Sequence, residues 1–402
     1  MGKRIRRATV AKRSCQRAEE ARDSFGRAQV GFFFGRTKII AMVQLPPPQN
    51  EAVLEMLDGY AYSKYSQYFH EPCSQPPGRG PVEIDYWSIS YRVTFPERSL
   101  FVKIPKVDMC QADLSLIVAD PGARESARTE FDGFSQIYGI RDWPKGCAAV
   151  RPLEYVPSFN SIITEFVPSN DLFRQCRHAA IGGGLAVVPS SGSVPISLGR
   201  CGAWLRHFQR AHECEGTVRV SSEQLLVEME NWARQIQCLC IRPRKLDALL
   251  ARLERSRWSH EIDTARTCEG FEVRNIIVDP HGTVRLVDPG RISWGSGLED
   301  VAHFLVSLTM LFWGTSRLWL GIPMSRPYRH AFLNGWAPRD RRPKPSTLAW
   351  FETRELFRQW LEAYRVLSRK PYPRTLGRFL RAVYVDAFFL NRITQTVAIA
   401  CN

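Results

Sequence analysis

The chain has 402 residues, 44% of them hydrophobic, including 11 Trp and 22 Phe. That apolar content supports a sizeable core shared by roughly two or three structural units and excludes a disordered or low-complexity chain. The formal charge of +15 favours anionic partners: nucleotides, phosphorylated substrates, acidic headgroups or nucleic acid.

Charge is concentrated at the start. Residues 1–40 hold eleven Lys/Arg against three Asp/Glu, so +8 of the +15 lies there. Residues 1–41 read as a disordered basic arm able to touch anionic surfaces, with Met42 as an alternative start. A nucleic-acid or membrane-surface tail and an Arg-rich transit peptide are the competing readings. The 11 cysteines are odd in number and contain no C-x-x-C pair. With no secretory-type signal, they point to free thiols in a reducing, cytoplasmic compartment. The most apolar window, Val301–Leu320, is broken by His303, Gly314 and Arg317. It predicts a buried helix and a turn, not a transmembrane segment.

Along the chain, Pro/Gly punctuation at 43–50 and 72–81 brackets a short helical pattern, Ala52–Tyr62. Strand signals follow in "VEIDYWSISYRVTF" and, after "PERS", in "LFVKIPK". Arg124–Ile140 carries helix periodicity, and "AAVRPLEYV" and "NSIITEFV" read as two more strands. This order predicts an antiparallel sheet with a helix on one face, an α+β unit. Ala179–Pro195 is Gly/Ser/Pro-rich and reads as a loop. Helices then dominate. Cys201, Trp204, Leu205 and Phe208 share one face, and Ser221 with Gln224 makes a capping box for a helix carrying Leu225, Met229, Trp232 and Ile236. The stretches 299–312, 350–367 and 374–396 are helical in pattern.

The stretch "RNIIVDPHGTVRLVDPG", Arg274–Gly290, interrupts the helices with a hairpin pattern. Its turn is Asp-Pro-His-Gly, where Gly282 suits a positive φ. Asn275 enters the hairpin and Asp288 leaves it, offering hard oxygen ligands of the kind Mg²⁺ takes together with phosphate oxygens. A turn-capping Asp and a backbone-bonding Asn account for the same two residues without chemistry.

Other segments, in order, widen the pattern: "SYRVTFPERSLFVKIPK", "ARTEFDGFSQI", "VRPLEYVPSFNSIITEFVPSNDL", "GFEVRNIIVDPHGTVRLVDPG" and "GLEDVAHFL". From Tyr91 to Phe304 this succession resembles the aminoglycoside phosphotransferase and choline-kinase-like branch of the protein-kinase-like fold. The C-terminal helices fit loosely. The resemblance implies a bilobal α+β fold: a strand-rich N-terminal nucleotide-binding lobe with hinge over 42–168, and a mainly helical C-terminal lobe over 169–402 with catalytic loop, metal site and acceptor region. It implies an ATP-dependent phosphotransferase, using Mg²⁺, that acts on a hydroxyl of a small molecule. Carried over by position, Lys103 pairs with phosphates and Glu130 holds it, with Glu125 as the alternative. Glu165, Phe166 and Val167 offer backbone groups to an adenine. Asn275 and Asp288, the latter opening a variant Asp-Phe-Gly, hold the metal, and Asp300 braces the catalytic loop.

The departures are specific. The family usually reads His-Gly-Asp, with the aspartate five residues before the metal asparagine; here the span is Cys268-Glu269-Gly270. Gly270 therefore stands where the catalytic aspartate is expected. Glu272, and after it Glu269, is the candidate surrogate, and Gly270→Asp is expected to restore activity to a Glu272→Gln chain. The turn in "EIDYWSISYRV" lacks the glycines usual over phosphates. The alternative is a nucleotide-binding pseudokinase-like regulator or scaffold. Nucleic-acid binding has no supporting module. The acceptor is open among sugar, aminoglycoside, choline-like and lipid-linked hydroxyls. Ala179–Pro195 and Trp313–Pro345 are the candidate selectivity segments, the latter carrying "RPYRHAF" and "APRDRRPKP". Those Arg and His residues either grip an anionic acceptor or form a solvated basic face.

Overall fold

The computed structural model describes residues 48–402 apart from 74, 182–192, 212–216, 240–242, 312–324, 369–376, 378 and 380. The basic arm, most of Ala179–Pro195 and the first part of Trp313–Pro345 lie outside the described residues.

Helix α1 (Pro48–Phe69) buries Leu54, Leu57, Ala61, Tyr65 and Tyr68. That spacing is one helical stripe. The helix runs on past the expected Tyr62 because Tyr65, Tyr68 and Phe69 continue the stripe onto the sheet, packing with Phe95 and its neighbours. The sheet is built from β1 (Gly78–Arg79), β2 (Glu83–Ile84), β3 (Ser88–Thr94), β4 (Ser99–Pro105), β5 (Pro152–Val156) and β6 (Ser161–Glu165). Its order is β1-β3-β4-β6-β5, with β2 also beside β3, and every pairing is antiparallel. Between β4 and β5 lie α2 (Leu114–Ala119) and α3 (Pro121–Tyr138). Asp120 caps α3 by accepting from Gly122 N and Ala123 N, with Pro121 opening the first turn. The buried stripe of α3 is Ala123, Ala127, Glu130, Phe134 and Ile137. Glu130 thus occupies a stripe position that an apolar residue would normally hold.

Past Glu165 the chain crosses β7 (Asn170–Asp171) into α4 (Leu172–Ile181) and α5 (Ser193–Arg210). Next come β8 (Thr217–Ser221), α6 (Ser222–Gln237), α7 (Pro243–Glu254), β9 (Ser259–Cys268), β10 (Ile276–Val278), β11 (Val284–Leu286) and β12 (Ile292–Ser296). Helices α8 (Gly297–Met310), α9 (Ser325–Trp336), α10 (Pro345–Ser368) and α11 (Ala387–Ala400) complete the lobe. The capping box of α6 forms in both directions between Ser221 and Gln224. The hairpin β10–β11 forms with Gly282 at φ +79°, and β7 joins its edge. A second small sheet, β12-β9-β8, has no counterpart in the sequence reading. Strand β9, "SHEIDTARTC", contains one large aliphatic residue and shows no apolar alternation. It is held by its long antiparallel register with β12, from Ile292↔Cys268 to Ser296↔Thr264.

Two apolar clusters fill the helical lobe. One gathers Met229, Trp350, Trp360 and Phe389; the other gathers Trp204, Phe208, Phe271, Phe304 and Phe332. Within the second, the Phe271 ring lies 5.3 Å from Trp204 and 5.1 Å from Phe304. Full burial of such a ring contributes about 2–3 kcal/mol, so the loop that carries Phe271 is anchored in the core. The described cysteines are free thiols. Among the described residues no helix is long and apolar enough to cross a membrane.

Candidate active site

Lys103 lies on β4, between Ser90 of β3 and Ile162 of β6 in the pairing register. Its ammonium reaches across to α3 and to the end of β11. Nζ is 2.7 Å from Glu130 Oε1 and 3.0 Å from Asp288 Oδ2, with all three side chains largely buried. Burial works against a charged lysine, but the attraction of Asp288 and Glu130 outweighs it and keeps the pKa of Lys103 above its ordinary value. Glu125, the alternative partner, lies on the exposed side of α3. Two carboxylates therefore share one cation. Burial, and then the neighbouring Asp288, push the pKa of Glu130 up to about 8 despite Lys103. Glu130 Oε2 and Asp288 Oδ1 are buried without a hydrogen-bond partner.

Close backbone packing sets this geometry. A Cβ at Gly133, one turn beyond Glu130, would stand 2.8 Å from Gly290 O. Only a glycine there lets α3 press against the Asp288–Gly290 turn. Asn275 closes a short 3₁₀ turn (Val273–Asn275) ahead of β10, and its carbonyl accepts from Val287 N at 2.8 Å. Its Nδ2 donates to Gly270 O at 2.9 Å and more weakly to Asp288 O at 3.4 Å. The amide nitrogen is thus committed to backbone, which leaves Oδ1 as the oxygen available to a ligand. An orphaned carboxylate oxygen on Asp288 and an amide oxygen on Asn275 suit a hard divalent cation that draws its other ligands from water or phosphate. Among the described residues no group of three or more His, Cys, Asp or Glu could hold a metal ion.

The loop ahead of Asn275 is held from both sides. Asp300, in the first turn of α8, accepts from Cys268 N at 3.0 Å and from Gln209 Nε2 at 3.2 Å. Its burial pushes the pKa up to about 8. Gly270 N donates to Pro289 O at 2.9 Å, so the loop and the Asp288–Gly290 turn run backbone to backbone. A Cβ at Gly270 would lie 1.7 Å from Asp288 O and 2.7 Å from Pro289 C. No side chain fits there without moving the segment that presents Asp288. The expected repair by Gly270→Asp is therefore sterically excluded.

Phe271 turns into the core, and Glu272 takes an extended conformation beside it. Glu272 Oε2 is 3.7 Å from His303 Nε2 on α8. The Arg274 guanidinium stacks 4.7 Å over the Phe173 ring. On the other edge of the His303 ring, Nδ1 lies 3.3 Å from Glu355 Oε1 and 2.7 Å from Arg358 Nη2. Burial opposes charging His303, yet Glu355 and Glu272 outweigh it and push the pKa up to about 9. Arg358, which can only donate, opposes a proton on Nδ1. Glu269 is exposed, with its backbone N–H bonded to Arg291 O.

At the hinge the expected adenine contacts divide. Glu165 N donates to Arg151 O and Phe166 N to Ser99 O, each at 3.0 Å. Sheet pairing runs past β6 and consumes both donors. Val167 N–H has no acceptor among the described residues, and its side chain packs in the small cluster that includes Val287 and Ile162.

No family model matches the sequence, and no curated protein matches it either. Solved structures do. A protein from Ralstonia eutropha JMP134 assigned as an aminoglycoside phosphotransferase is 12% identical, with a TM-score of 0.51 over 85% of this chain and 98% of that one. The chain has the same bilobal, protein-kinase-like fold. Macrolide 2′-phosphotransferase MphH from Brachybacterium faecium is 12% identical, with a TM-score of 0.48 over 83% of this chain and 98% of its own. Choline kinase LicA from Streptococcus pneumoniae is 11% identical, with a TM-score of 0.46 over 85% and 99%. In kinase-like terms, β1–β6 with α1–α3 make the strand-rich lobe and α4–α11 the helical one, and Lys103 meets Asp288 where the two lobes face each other. Three residues of this site escaped the sequence reading: Gln209, His303 and Glu355. Gln209 and Glu355 carried no motif, and His303 registered as a break in an apolar window.

Proposed function

We propose that this chain binds Mg·ATP and transfers the terminal phosphoryl group to a hydroxyl of a small molecule. The observation that carries this reading is the Lys103 ammonium held between Glu130 and Asp288, with Asp288 Oδ1 left unpartnered beside Asn275. In this reading residues 42–168 serve the nucleotide and 169–402 the acceptor, in a reducing, cytoplasmic setting. Asn275 and Asp288 would hold Mg²⁺, whose charge offsets that of the phosphates. Lys103 would bind phosphate oxygens as a fixed charge, and Val167 N–H would donate to the adenine. The acceptor oxygen bonds to the γ-phosphorus as the bond from that phosphorus to the bridging oxygen breaks. The hydroxyl proton passes to Glu272 or to water. Glu272 can orient the hydroxyl because His303 holds its carboxylate from behind.

Two measurements test this. Asp288→Asn should weaken binding of Mg·ATP much more than binding of metal-free ATP, by titration calorimetry; equal Mg·ATP affinity in both proteins removes the metal-ligand assignment. Glu272→Gln should slow single-turnover phosphoryl transfer by about a hundredfold or more while leaving Mg·ATP affinity within about twofold. Unchanged transfer removes Glu272 from the chemistry. A second reading, a nucleotide-binding regulator without turnover, is favoured by Gly270, which has no side chain and no room for one. Mg·ATP binding with no transfer and no ATP hydrolysis in the unmodified protein selects it.

A further inference from the structure

On the helical lobe a cavity of about 830 Å³ opens between the last turn of α5, strand β9, the start of α8 and the segment that joins α9 to α10. Pockets of roughly 300–1,000 Å³ suit small-molecule ligands. Five cations line this one: Arg206, Arg210, Arg341, Arg342 and Lys344. Among the described residues no carboxylate lines it. Three of the cations come from the sequence run "APRDRRPKP", and tertiary folding sets them opposite Arg206 and Arg210 of α5.

Elsewhere in the lobe three partly buried arginines are matched with acids: Arg329 with Glu352, Arg354 with Glu228 and Glu299, Arg358 with Glu355. Here Arg206, Arg210, Arg341 and Lys344 form no ion pair among the described residues. Arg342 is tied to Ala337 O and Asn334 Oδ1, which fixes its guanidinium at the rim. Burial, and then Arg210 and Arg341, hold the pKa of Arg206 below the ordinary arginine value. Like charges set together in a concave site repel one another, and an anion relieves that repulsion. Helix α8 begins on the cavity wall at Gly297, and α10 begins just past Lys344. The N-terminus of α10, whose first turn holds no acid, adds positive potential. The floor is less polar: Leu298, Ile262 and the Trp336 ring, whose Nε1 donates to Gln209 Oε1 at 3.0 Å. None of Lys103, Glu130, Asn275 or Asp288 lines the cavity.

We propose that this cavity is a second binding site, for a small molecule carrying clustered phosphate groups, gripped by Arg206, Arg210, Arg341, Arg342 and Lys344 and seated on Trp336. The chemistry is shared by soluble phosphorylated compounds and by phosphorylated lipid headgroups. The site does not depend on nucleotide binding at Lys103. Its floor nevertheless reaches the catalytic loop in two steps, since Gln209 Nε2 donates to Asp300 and Asp300 accepts from Cys268 N.

The test uses the full chain with EDTA present and two soluble probes, pyrophosphate and inositol hexakisphosphate, in titration calorimetry. A third arm measures co-sedimentation with phosphatidylcholine vesicles containing phosphatidylinositol bisphosphate. Binding should weaken about tenfold or more for each cation reversed in Arg206→Glu and Arg341→Glu. Reversing Arg4, Arg6 and Arg7 to Glu in the basic arm should leave it within about twofold. Without ligand, the two cavity variants should melt no lower than the unmodified protein, because they relieve repulsion. Soluble probes binding without vesicles identify a free phosphorylated compound; vesicle binding that the cavity variants lose identifies a lipid headgroup. Undiminished binding in the double cavity variant, loss of binding in the arm variant alone, or no binding of any probe overturns the proposal.

Discussion

Around Lys103 the chain brings opposite charges together from β4, α3 and the end of β11; around Gly270 it brings backbone against backbone. The first region crowds two carboxylates onto one ammonium, raises the pKa of Glu130 and leaves an oxygen of Asp288 without a partner. The second is saturated: Gly270 N, Cys268 N and Asn275 Nδ2 all have acceptors, and the space for a side chain is filled by Asp288 O. The two regions, which meet at the Asp288–Gly290 turn, are thus built on different physical terms. Electrostatic frustration marks the frame, and steric closure marks the loop. A chain that lost only its catalytic aspartate would be expected to keep room for one; here the neighbouring turn has taken that room.

Gly270→Ala attacks the steric side of this contrast and carries the largest expected effect. The added Cβ must displace Asp288 O, and we expect a loss of about 4 kcal/mol or more in denaturant unfolding, or no soluble protein. A change under about 1 kcal/mol would show that the loop has slack and would reopen the position to an aspartate. On the electrostatic side, Lys103→Met removes the one cation shared by two carboxylates. The expected cost is about 3 kcal/mol at pH 8 and less at pH 5, where Glu130 takes up a proton instead. Equal cost at both pH values would mean that Glu130 does not titrate in this window.

The last effect is a slope. The pKa of Glu130 is raised to about 8 from its ordinary value of 4.5. Across that interval the folded state holds more protons than the unfolded chain, so this group makes stability fall as pH rises. Glu130→Gln should remove that part of the slope, flattening stability between pH 4.5 and 8. An unchanged slope would mean that Glu130 does not titrate in this interval, and would assign the slope to another buried acid such as Asp300.

Much of the architecture was legible because it rests on local pattern. The α3 stripe, the Ser221–Gln224 capping box, the apolar face of α5 and the β10–β11 hairpin each follow from residues a few positions apart. The frame residues were legible through their order along the chain, not through any single match. Other features were not legible. Strand β9 has too few apolar residues to announce itself and exists through pairing with β12. The backbone groups of Glu165 and Phe166 looked available as a whole, because sequence does not reveal that sheet pairing takes up their N–H groups. Glu272 looked like an isolated carboxylate because its partner His303 lies on a helix that reaches it only after folding.

By itself, then, the sequence determined the strand-rich and helix-rich halves, the core faces and the positions of Lys103, Glu130, Asn275 and Asp288, since hydrophobic period, turn chemistry and residue order act over short range. The tertiary structure decided which charges share a partner, whether Gly270 has room for a side chain, which hinge amide stays free and whether "APRDRRPKP" is a solvated face or the wall of a cavity. Each of those depends on a distance between segments far apart in the chain, and Coulombic attraction, steric exclusion and burial are all set by distance.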